Sequence, residues 1–191
     1  MEAVSKPVNS MPVPSKILAV LMVVIVEMMF FGGLISAYVL ASAGQTDWPP
    51  ANQPRLPIPV TFGNMILLLL SLIPLWQFIK YIRKGELKKS LWLTVMLMGT
   101  VFFIVQGYEW FRILLFGMHA GRGLFSSFFY TLIGVHGFHV FAGLVLMRFV
   151  YRRLGSAISI EEKRSDAEMA GLFWTFVVLL WPVLYYLTYW V

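Results

Sequence analysis

Five almost uncharged apolar runs, at about 17–41, 59–81, 90–115, 125–150 and 169–190, leave this chain few ways to fold. A run of about 20 such residues is what a helix needs to cross a hydrocarbon core of roughly 30 Å. Lipid offers backbone groups no hydrogen-bond partners, and these runs are too long and too few for a closed barrel, so the spans must be helices. With 59% of residues hydrophobic and only 13% charged, a soluble domain is excluded. The expected fold is all-α: a polytopic bundle of five transmembrane helices forming one domain over 17–191, behind a polar, proline-rich cytoplasmic tail at 1–16. The first run is too long for a signal-peptide core and is not followed by a cleavage site and a soluble domain, which predicts a retained helix.

Charge sets the expected orientation. Of the fifteen Lys and Arg residues, twelve fall in the N-terminal tail or in the loops joining spans two to three and four to five. Only Arg55, Arg112 and Arg122 fall on the other side. The positive-inside rule then puts the N-terminus in the cytoplasm and the C-terminus outside. The net charge of +6 comes from these loops, so the expected partner is anionic membrane phospholipid and not nucleic acid. The chain has no cysteine, which excludes disulfides, iron–sulfur clusters and thiolate copper sites.

Between the spans, "SAGQTDWPPANQPRLP" (42–57) predicts an extended outer cap with Trp48 at headgroup depth. The segment "GSAISIEEKRSDAE" reads as a small surface segment, and Pro182 predicts a kink in the last span. Gly33, Ala37 and Ala41 recur every four residues and predict a smooth packing face; Gly137, with Gly134, Ala142 and Gly143, does the same for span four.

Ionisable groups inside the bilayer must face protein or water, since centring one costs about 2.5–3.5 kcal/mol on insertion scales. Glu27 lies eleven residues past Lys16, roughly 16 Å into the membrane at the helical rise. Burial without a cation favours the protonated carboxyl, able to donate a hydrogen bond or carry a proton. Glu109 has Arg112 three residues on, a spacing that allows a local ion pair. His136 and His139 share a helix face. As a pair they lack the third and fourth donors that zinc takes, and they cannot grip one haem from both sides, so hydrogen bonding between helices, to Glu27 or Glu109, is the expected role. Phosphate loops, nucleophile elbows and nucleotide fingerprints are all missing. By its residues alone, the chain reads as a subunit with no catalytic apparatus of its own.

The segments "EMMFFGGLISAY" (27–38), "WPP" (48–50), "QGYEWF" (106–111), "SSFFYTLIGVHGFHVFAGL" (126–144) and "FWTFVVLLWPVLYYLTYW" (173–190) together resemble subunit III of the haem–copper oxidases, in order over nearly all of 25–190. The resemblance implies a non-catalytic subunit of a proton-pumping terminal oxidase such as cytochrome c oxidase, in a prokaryotic plasma membrane. It would bind no haem, copper or other metal itself; those cofactors belong to the partner subunit I. Subunits I and II and other respiratory-chain complexes are the implied partners, with structural phospholipid retained and proton uptake supported. Glu27, Glu109, His136 and His139 match the family's intramembrane carboxylates and histidine pair. Seven-helix members carry two helices ahead of the point where this chain begins, so it resembles the five-helix form. Where the family has Trp-His-Phe-x-Asp-x-x-Trp, this chain has Thr175 and Val178 in place of the histidine and aspartate, and Arg112 replaces a second glutamate found in some members.

Four other readings stay open at this point. They are subunit III of a quinol oxidase, an accessory subunit of nitric oxide reductase, a self-standing proton-coupled transporter built on the four buried ionisable residues, and a purely structural assembly factor.

Overall fold

A computed structural model describes residues 15–50 and 58–190. The tail up to residue 14, with Lys6, and residues 51–57 of the outer loop, with Arg55, lie outside the described residues. The helices are α1 (Ser15–Ala43), α2 (Ile58–Leu70), α3 (Leu72–Arg83), α4 (Lys89–Leu115), α5 (Leu124–Leu154) and α6 (Ile160–Tyr189), with a 3₁₀ turn at Ala120–Arg122. Counting Ile58–Arg83 as one span, five helices are long and apolar enough to cross a membrane. All regular structure among the described residues is helical.

The second span runs as one membrane-length stretch over Ile58–Arg83 but is irregular at Ser71, where the backbone bonds to Leu67 and from Leu75 persist at 3.2 and 3.4 Å. Pro74 has no N–H to offer the carbonyl of Leu70, and its ring crowds that carbonyl, so the helical ladder loosens one turn before the proline. Ser71, at this irregularity, turns it to use. Its hydroxyl donates to the Leu68 carbonyl at 2.6 Å and accepts from the Trp174 indole N–H at 3.1 Å, tying the second span to α6. Trp174 is fully buried, and glycines make room for it. A Cβ on Gly99 of α4 would stand 2.5 Å from its ring, and one on Gly143 of α5 would stand 2.9 Å away. Three helices thus close around one indole.

α6 touches α1, α2, α3 and α5 and forms the spine of the bundle. It is longer than its apolar run at 169–190 predicted. Residues 160–168, expected to be a separate surface segment, are its first two turns. Ser159 caps them by accepting the Glu162 N–H at 3.2 Å, with Glu161 and Glu162 in the first turn. That is the Ser-x-x-Glu capping pattern, with acidic residues at the positive end of the helix dipole. Pro182 lies within α6, which continues through it.

α1 is the least embedded helix. It docks through Phe31, Leu34, Ile35 and Tyr38, an i, i+3, i+4, i+7 stripe. The neighbouring small-residue face is largely left uncovered by the described residues. Gly33 and Ala37 are exposed, and a Cβ on Gly33 would meet nothing within 4 Å. The large aromatics of the adjacent face bury more apolar surface, and they decide which side turns inward. Ala41 is half-buried. Gly137 does pack closely: a Cβ there would come within 2.9 Å of the Trp110 ring. At the far end of α1, Tyr38 donates to the Leu187 carbonyl at 2.8 Å and accepts from Trp48 Nε1 at 3.0 Å, folding the start of the outer loop back onto the bundle.

Candidate functional site

Glu27 on α1 and His139 on α5 meet across the helix interface, Oε2 to Nε2 at 3.0 Å. The other ring nitrogen, Nδ1, faces the Val135 carbonyl one turn back at 2.8 Å. A carbonyl only accepts, so Nδ1 carries a proton. The Nε2 to Oε2 contact then needs one more proton, shared between an imidazole and a carboxyl. Either a protonated Glu27 donates to neutral His139, or an imidazolium donates to the carboxylate. Both forms leave the pair neutral overall, which suits a low-dielectric setting. Phe31 and Phe138 meet the imidazole edge-on at 5.3 and 5.9 Å, and Phe173 stacks on it at 6.5 Å. These rings limit how the imidazole can turn. The site still opens outward, since the Glu27 side chain is 24% exposed and that of His139 12%.

The four expected residues do not form one cluster. Glu109 pairs on its own helix with Arg112, at 3.1 and 3.2 Å from one guanidinium nitrogen, as the three-residue spacing predicts. The expectation of hydrogen bonding between helices fits His139 but not His136. His136 is fully buried and stacks on Trp181, with centroids 4.9 Å apart and planes 22° apart, and neither of its ring nitrogens is hydrogen-bonded to a described residue. The ring is a flat spacer between α5 and α6. Among the described residues, no group of three or more His, Asp or Glu side chains could hold a metal ion. Both nitrogens of His139 are already engaged within the chain.

Sequence reasoning passed over two polar features. In the first, Asn64 of α2 donates to the Phe102 carbonyl at 3.0 Å, with a longer 3.4 Å contact to Gln106, which reaches the Tyr189 hydroxyl at 3.4 Å. Asn64 and Gln106 interrupt apolar runs, and that interruption is the signal that could have found them. The second is at the basic end of the bundle. Asp166 of α6, almost fully buried, binds Lys16 of α1 at 2.6 Å and Arg153 of α5 at 2.5 Å. Two residues on, Glu168 binds Arg83 of α3 at 2.7 Å and Arg164 at 3.1 Å. The residues replacing the polar pair in the last helix need no outside partner: Thr175 donates to the Gly171 carbonyl at 2.7 Å, and Val178 is buried in the core.

Residues 8–191 match the protein family described as cytochrome c oxidase subunit III. The chain is 31% identical over 179 residues to the cytochrome c oxidase subunit 3 of Thermostichus vulcanus, covering 91% of this chain and 86% of the relative. It is 32% identical over 178 residues to the cytochrome c oxidase subunit 3 of Synechocystis sp., covering 91% and 75%. With five membrane-crossing helices and a match that runs almost from end to end, the chain belongs to the cytochrome c oxidase subunit III family.

Proposed function

We propose that this chain contributes no redox centre to its oxidase complex and acts through its neighbours: it stabilises subunit I, retains phospholipid, and supports proton uptake by the catalytic subunit. The observation that carries this reading is the Glu27–His139 pair, a proton-sharing couple on a weakly embedded helix. Because the pair is neutral as a unit, α1 can face lipid or a neighbouring subunit without leaving a bare charge in the bilayer. The exposed Gly33 and Ala37 lie on the same helix and allow close backbone approach by a neighbour. Haem and copper would reside in subunit I, with subunit II as a further partner and a prokaryotic plasma membrane as the setting. The basic end would face the cytoplasm, with the C-terminus outside. The relatives' names favour the cytochrome c form of the complex over the quinol form.

The test is a mild-detergent pull-down through an N-terminal tag, followed by a reduced-minus-oxidised spectrum of the eluate. Haem bands together with a large multi-span partner are the expected result, and the haem type separates cytochrome c from quinol chemistry. A colourless chain recovered alone under the same conditions would sink the proposal.

A further inference from the structure

At the basic end, α1, α3 and α6 leave an open groove of about 660 Å³. Leu75 and Ile79 of α3 and Gly171 and Leu172 of α6 form apolar walls. Gly171 keeps the groove deep, since a Cβ there would lie 3.4 Å from Leu75 and 3.7 Å from Ile79. Thr175 adds no polar demand, because its hydroxyl is held by the Gly171 carbonyl. Along α3 the lining runs from Leu72 to Arg83, about 16 Å at the helical rise. That is about half of a hydrocarbon core, the depth of one leaflet.

One end of this apolar trough is charged. Lys80 and Arg83 both line it, with Glu168 the acid among its lining residues. Glu168 is shared by Arg83 and Arg164, so the mouth keeps a surplus of about two positive charges once Lys80 is added. Lys80 lies 3.5 Å over the exposed Trp76 ring, which holds the ammonium at the rim. An apolar partner helix would meet these walls well but would leave the surplus positive charge without a counter-charge. An amphiphile with an anionic head answers both parts.

We propose that this groove holds one phospholipid with an anionic headgroup, its phosphate between Lys80 and Arg83 and an acyl chain along Leu75, Ile79 and Leu172. The inference rests on the reading that the chain crosses a membrane and retains lipid, and it adds where the lipid sits and what charge it carries. The test uses the intact oxidase complex and a phosphatidylglycerol carrying a photoactivatable diazirine in one acyl chain. Crosslinks are expected on segments 72–83 and 168–175, displaced by unlabelled phosphatidylglycerol and much less by phosphatidylcholine. Lys80→Gln and Arg83→Gln change exposed side chains, and each should lower labelling about fivefold; Arg83→Gln also gives up the Glu168 pair, so the Lys80 variant is the deciding one. Equal displacement by phosphatidylcholine, labelling indifferent to Lys80→Gln, or label only on another subunit lying over the groove would each overturn the proposal. Haem bands in the same preparation report on the subunit reading separately, so the two failures can be told apart.

Discussion

At the scale of single residues, Glu27 and Trp174 show two ways in which one side chain commits a membrane bundle. Glutamine at position 27 keeps a donor and an acceptor for His139, so Glu27→Gln is expected to assemble with normal haem yield. Failure of that variant to assemble would overturn the protonated-carboxyl form of the pair. Glu27→Ala leaves His139 Nε2 unpaired at a mostly buried position, a loss of about 1–3 kcal/mol. A lower midpoint in thermal denaturation of the complex checks it. Infrared spectra of wild type and Glu27→Gln distinguish the two proton arrangements, since only a neutral carboxyl gives the acid C=O band. Around Trp174 the expectation is steric. Gly99→Ala forces a methyl into the indole and should cost about 1–3 kcal/mol, whereas Gly33→Ala meets open space and should leave the isolated chain's stability unchanged. Similar losses for both would mean that α1 packs through its small face after all. The glycines were visible in the sequence. Which of them faced an indole was not, because the periodicity of one helix does not say what its neighbour presents.

The elements show where local rules were strong and where they were outweighed. The five apolar runs located all five spans, with every end but the start of α6 placed to within a few residues, because crossing a bilayer leaves the backbone no other way to satisfy its groups. The start of α6 was misjudged although its signal was present: Ser159 and Glu162 form a capping pattern, but the mixed charges after it read as a loop. Ser159→Ala should cost the helix about 1 kcal/mol. Hydrogen exchange should quicken in 160–168 and stay unchanged around Trp174 and Trp181; uniform exchange across α6 would show that the cap does not hold this end. The irregularity at Ser71 follows from Pro74 by a rule of one residue type. That the Ser71 hydroxyl, while donating to Leu68, also receives the Trp174 N–H is a fact of packing between distant segments.

Across the whole molecule, Asp166 and Glu168 gather cations from α1, α3 and α5 onto the first turns of α6, so four helices are pinned at the basic end. Asp166→Asn keeps the shape and removes the charge. Lys16 and Arg153 retain access to water, so the loss is expected to be moderate, on the order of 1–2 kcal/mol. A lowered thermal midpoint for the variant checks this, and an unchanged midpoint would show that the cluster is surface decoration. By itself, the sequence determined that the chain is a membrane bundle of five spans, which end is basic, and which family its motifs resemble. Each of these rests on local chemistry: hydrophobic length, the distribution of Lys and Arg, and the order of short motifs. Only the tertiary structure decided that Glu27 meets His139 and not His136, that the aromatic face of α1 turns inward, and that Asp166 holds two other helices. Those outcomes depend on how helices rotate about their axes against one another, and that is set by the fit of all neighbouring side chains together.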